Sequence, residues 1–91
     1  MAAAKSPHAH GRSEIWARKP LKKAIERRIT ALGARLRAVR KELRLSQEQA
    51  AELCGLHPKY VQRIEAGKAN PTLASVTALA HAYGVELRDL F

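Results

Sequence analysis

Apolar positions along this chain fall into helical registers with no alternating, strand-like stretch. From Pro20 onward, Leu21, Ile25, Ile29, Leu32, Leu36, Val39 and Leu43 recur at steps of 4, 4, 3, 4, 3 and 4. Such steps place every member on one face of a helix and leave basic residues on the others. Pro20 suits the first turn, where its missing N–H costs nothing. Gly33 weakens the helix slightly and marks a place where two helices abut. Ser46 is an N-cap with Gln49 three residues later, a capping-box pattern. It opens a short helix, Gln47 to Cys54, that stops at Gly55. Gly55 can take the left-handed conformation of a C′ residue. His57 and Pro58 start a third helix reaching about Ala66 and ending at Gly67. Asn70-Pro71 signals a turn, and Thr72 caps a fourth helix whose Leu73, Val76, Leu79, Ala80 and Tyr83 share a face. Gly84 closes it, and Glu86 to Phe91 forms one further turn. The predicted class is all-α. Residues 1–19 mix Ser, Pro, His, Gly and charge without periodicity and read as a flexible basic tail.

The second and third predicted helices, QEQAAELC and PKYVQRIEAG, are joined by the tight turn GLH and have helix-turn-helix dimensions. Ala51 sits at their crossing, where only a small side chain permits close approach. Leu56 plugs beneath the turn, and Val61 and Ile64 anchor the third helix inward. Lys59, Gln62 and Arg63 are left projecting outward. Long donor side chains at the front of an exposed helix are what readout of the DNA major groove requires.

From about Leu32 to Phe91, roughly two thirds of the chain, the sequence resembles the XRE family of Cro/cI-like repressors. The segments LSQE, CGL, VQRIEAGKANPTL and LRDLF carry the resemblance. It implies a five-helix, lambda-repressor-like bundle over residues 32–91, here with an N-terminal helical extension over residues 20–31. It also implies that the third helix enters the major groove, with Lys59, Gln62 and Arg63 reading base edges. Gln47, at the start of the second helix, would hydrogen-bond a phosphate. Lys68 and Asn70, in the loop that follows the recognition helix, would hold the DNA backbone, and Tyr60 and Arg44 complete the expected phosphate contacts. Arg40 resembles the helix-one arginine that pairs with the glutamate ending the recognition helix, here Glu65. Two departures stand out. Ala50 replaces a larger aliphatic, so the core there is either thinner or filled from elsewhere, for instance by Trp16. His57-Pro58 replaces a hydroxyl cap and its first residue, which removes one backbone donor.

Charge sharpens the picture. The 91 residues carry 17 Lys/Arg against 8 Asp/Glu, a net charge of +9. Residues 1–44 hold 13 of the basic and 3 of the acidic residues, so the excess lies in the tail and first helix. Such a balance suggests an acidic partner, nucleic acid or an anionic membrane surface. No apolar run has the length of a membrane span, and the first residues lack the apolar stretch of a secretory signal. The single cysteine, Cys54, forms no internal disulfide, so a cytoplasmic setting is expected. Cys54 is read as a core residue. His8, His10 and His81 have no second ligand at metal spacing, so no metal site is expected. No nucleophile–base set, carboxylate pair or glycine-rich phosphate loop is present, so neither enzyme activity nor a cofactor or small-molecule ligand is expected.

The reading is a transcriptional regulator, a repressor binding an inverted-repeat operator in double-stranded DNA as a homodimer. The helix-turn-helix region runs to Phe91, so no effector domain is expected, and a signal would arrive through concentration, proteolysis or a partner. The stripe Leu21, Ile25, Ile29 must be covered, either by Ile15 and Trp16 folding back or by a second chain. The end Leu87–Phe91 is the other candidate for pairing. A different class remains open: a protein-interaction module such as an antitoxin, with residues 1–31 wrapping the partner.

Overall fold

A computed structural model describes residues 18–91. Within them the chain forms four α-helices: α1 (Lys19–Glu42), α2 (Gln47–Cys54), α3 (Pro58–Glu65) and α4 (Leu73–Tyr83). A single 3₁₀ turn, Leu87–Leu90, follows. The described residues contain no strand, and no helix among them is long and apolar enough to cross a membrane. Where the resemblance implies five helices, the described residues hold four α-helices and the 3₁₀ turn. A local capping box between Glu86 and Asp89 closes the segment after Gly84 into that turn. Residues 20–31 are helical and form the first part of α1. The apolar steps carry on unbroken through residue 31, and α1 is one continuous helix of 24 residues. It draws the described chain out to 48 × 26 × 22 Å.

The helix ends follow from local chemistry. Ser46 Oγ accepts from the Gln49 backbone N–H at 3.0 Å while Gln49 Oε1 accepts from the Ser46 N–H at 2.8 Å. The reciprocal pair satisfies two donors that a helix start leaves orphaned. Gly55, at φ 70°, ends α2 in the left-handed conformation. His57 does cap α3: its Nδ1 accepts from the Lys59 N–H at 3.1 Å, an imidazole doing the work of the usual hydroxyl. Thr72 caps α4 through its hydroxyl, which accepts from the Ser75 N–H at 3.0 Å.

Leu32 and Leu36 of α1, Ile64 of α3, and Val76, Leu79 and Tyr83 of α4 bury one core, closed at its end by Leu90. Ala50 is fully enclosed, so the small residue leaves no opening to solvent. Trp16, the side chain expected to fill that region, lies outside the described residues, as do Ile15, the histidines of the tail and residues 1–17 in general. Gly33 sets the helix spacing. A Cβ on it would overlap the Ile64 carbonyl oxygen, so α1 and α3 cross there at a distance no side chain permits. Leu21, Ile25 and Ile29 remain half-exposed. Ile25 and Ile29 line an apolar groove of about 450 Å³ whose other wall includes Leu73 and Phe91.

Candidate nucleic-acid interface

The α2–α3 pair is built from small residues and one turn. Ala51 is buried at the crossing, Val61 and Ile64 point into the core, and the Leu56 N–H donates to the Ala51 carbonyl at 2.9 Å across the turn. With the inward side fixed, the remaining face of α3 is outward. Lys59, Gln62 and Arg63 are all exposed on it.

Beneath that face lies the only ion pair among the described residues. Arg40 Nε donates to Glu65 Oε2 at 2.7 Å and Arg40 Nη2 donates to Glu65 Oε1 at 2.9 Å, a two-pronged contact. Its side chains are 9% and 3% exposed, so the charges are largely out of water. The hydrogen bonds from Arg40 to Glu65 push the guanidinium pKa further up, against a smaller desolvation effect. Two more contacts turn the pair into a hub. Arg40 Nη1 donates to the Leu45 carbonyl at 2.7 Å, and Gln47 Nε2 donates to Glu65 Oε1 at 3.0 Å. The end of α1, the entry to α2 and the end of α3 are therefore held by one connected set of hydrogen bonds.

Gln47 is thus half-buried and already engaged through one amide proton. Its second amide proton and its own backbone N–H, in the unpaired first turn of α2, remain to meet an anion. Arg63 is also engaged: its Nη2 donates to the Lys68 carbonyl at 2.7 Å, bracing the loop after α3. Tyr60 is half-buried and its hydroxyl accepts from the Thr72 N–H at 3.4 Å, which ties α3 to the start of α4. Lys68 and Asn70 are exposed in that loop, with Asn70 bordering the apolar groove. Arg44 is exposed on the link into α2 and takes a positive φ of 58°, the left-handed step that ends α1.

Gln47, Gln62 and Glu65 line one cleft, and α1 contributes Arg37 to it. The sequence offers Arg37 only as one member of the basic run from Arg18 to Arg44, part of which is expected to touch phosphate. Its position three residues before Arg40 puts it one turn away on the same side of α1, a signal that helix periodicity carries. The loop-bracing contact of Arg63 has no comparable sequence signal, because it depends on how the chain turns after α3.

Tyr83 and Cys54 sit behind this hub. Burial, and then the nearby Glu65 carboxylate, push the Tyr83 hydroxyl up to about 12. That hydroxyl has no hydrogen-bond partner among the described residues. Burial also raises the Cys54 thiol, whose Sγ lies 3.7 Å from the Ala78 carbonyl as a weak donor. No cluster of three metal-ligating side chains occurs among the described residues.

Residues 36–90 match the Helix-turn-helix family HTH_3. The immunity repressor protein of Bacillus phage phi105 is 39% identical over 56 residues, which are 62% of this chain and 39% of that protein. The HTH-type transcriptional regulator PuuR of Escherichia coli is 38% identical over 61 residues, 67% of this chain and 33% of PuuR. The chain therefore spans only a third to two fifths of these curated relatives. Among solved structures, the restriction-modification controller protein C.AhdI from Aeromonas hydrophila is similar at TM-score 0.68 and 41% identity. The match covers 69% of this chain and 96% of the controller.

Proposed function

Because the chain belongs to the helix-turn-helix family, as a DNA-binding transcriptional regulator, we propose that it is a repressor whose α3 reads an operator from the major groove. The single observation that carries the assignment of α3 is its two-sidedness. Val61, Ile64 and Glu65 are buried while Lys59, Gln62 and Arg63 stand in solvent. Lys59 and Gln62 contact base edges directly. Arg63 keeps N–H groups for a base beyond the one it gives to Lys68, so it links base reading to loop position. Gln47, Lys68, Asn70 and Arg44 hold phosphates, and so does Tyr60, whose hydroxyl proton is still free to be donated while its oxygen accepts from Thr72. The similar protein of phage phi105 is an immunity repressor, which supports repression as the sign of control.

The repressor acts as a homodimer on an inverted repeat. One module covers a single half-site, burying roughly 600–1,000 Å² of protein, which seldom gives tight specific binding. The two candidate pairing surfaces meet: Ile25 and Ile29 of α1 and the terminal Phe91 border the same apolar groove. Leu73 and Phe91 are exposed there, and a second copy would cover them.

Selection of bound duplexes from a random pool tests the reading. Two related half-sites about one DNA turn apart, near 34–36 Å, are expected. Recovery of no common sequence would contradict it.

A further inference from the structure

The excess charge of α1 is not spread evenly around the helix. At 3.6 residues per turn, Lys23, Arg27, Ala34 and Lys41 fall nearly on one line, with Thr30 and Arg37 a step to one side. Lys23, Arg27, Thr30 and Ala34 border one open surface, with Glu26 its acidic neighbour. The line is placed by two contacts with the recognition region. A Cβ on Gly67 would lie 3.1 Å from Thr30 Oγ1 and 3.3 Å from Thr30 Cα, so α1 touches the loop that carries Lys68. Further along, Arg37 shares its cleft with Gln47 and Gln62. None of Lys23, Arg27 or Arg37 forms an ion pair among the described residues.

We propose that Lys23, Arg27 and Arg37 form a phosphate track that binds the sugar–phosphate backbone of duplex DNA flanking the half-site read by α3. The inference rests on α3 being the reading helix and adds a second, sequence-independent surface to it. Arg37 sits where the track meets the recognition face. Lys23 and Arg27 lie beyond the Thr30–Gly67 contact, on the part of α1 that precedes the family match at residue 36. From Lys23 to Arg37 the helix rises about 21 Å, enough to follow about six base-pair steps. The neighbouring faces of α1 are engaged elsewhere: Arg35 donates to the Asp89 carbonyl at 3.1 Å, and Arg28 borders the apolar groove.

The test is a fluorescence-anisotropy titration of the full chain across a salt series, on a selected duplex with long flanks and on a scrambled duplex of the same length. The variants are Lys23→Gln with Arg27→Gln, which removes two charges from the track, and Arg88→Gln on the terminal turn, which removes one charge elsewhere. Glutamine is a good helix former and both track positions are exposed, so the fold is expected to survive, as circular dichroism would verify. The track variant should bind both duplexes on the order of ten-fold more weakly. The slope of log affinity against log salt should become shallower by about 1.8, two phosphate contacts' worth. Arg88→Gln should bind within about two-fold of wild type. Unchanged affinity and slope in the track variant would overturn the proposal, as would an equal loss per charge removed in Arg88→Gln, which would show that only net charge acts. A wild-type chain with no salt-dependent binding would instead overturn the reading of α3 on which the track depends.

Discussion

Arg40 and Glu65 carry opposite charges that neither water nor any other ionic partner among the described residues compensates. Removing one strands the other, together with the Gln47 amide and the Leu45 carbonyl that depend on the pair. Arg40→Met should therefore lower the unfolding free energy by about 3–5 kcal/mol in urea denaturation. Arg40→Met with Glu65→Met should recover much of that loss. A single-variant loss below about 1 kcal/mol would show a surface-like pair. The resemblance named both partners, which lie 2.7 Å apart. It did not show that Gln47 shares the same carboxylate, since that depends on how α2 leaves the loop at Leu45. Tyr83 offers a pH signature. Its neutral form is favoured in the folded chain, so its pKa lies above the ordinary value of 10, at about 12. The stability this contributes is present below about pH 10 and is lost as pH rises through about 12. A difference spectrum of wild type against Tyr83→Phe should show Tyr83 ionising only near pH 12. Ionisation near pH 10 while the chain remains folded would contradict the burial.

At the scale of elements, the close crossing of α1 and α3 is held open by a missing side chain. Gly33→Ala improves helix propensity by about 1 kcal/mol, yet its new methyl group meets the Ile64 carbonyl. Because the obstacle is backbone, the net effect should be destabilising by roughly 1–3 kcal/mol, read as a lowered Tm. An unchanged or raised Tm would mean that the helices cross further apart. On α3 the expected split is functional. Gln62→Ala should cost about 1–3 kcal/mol on the preferred site and relax preference at one or two base pairs, whereas Lys68→Ala should weaken all sequences alike. Equal losses of both kinds on both duplexes would remove α3 from its reading role. Periodicity and caps made most elements legible: the apolar steps of α1, the Ser46–Gln49 box and Gly55 all act as the sequence implies. The last element was less legible. Leu87 and Leu90 show that the segment packs, although Phe91 stays exposed, and capping-box closure decides that it packs as a 3₁₀ turn.

For the whole molecule, charge and apolar surface are partitioned around one long helix. The same α1 presents Ile25 and Ile29 to a groove and Lys23, Arg27 and Arg37 to other faces. The stripe was visible as a pattern in need of cover, but its junction with Phe91 was not, because the two are distant in sequence and meet only through the packing of α4. Ile25→Glu with Leu73→Glu should convert a dimer to a monomer at tens of micromolar in light scattering. A dimer that survives the change would move the interface off the groove. The functional reading depends on α3 discriminating one DNA sequence from another. The most direct measurement is the affinity of the full chain for its pool-selected duplex relative to a scrambled duplex of equal length, near 0.15 M salt. A ratio of about 10³ or more is the predicted result. A ratio near one, with both duplexes bound through charge alone, would contradict the account.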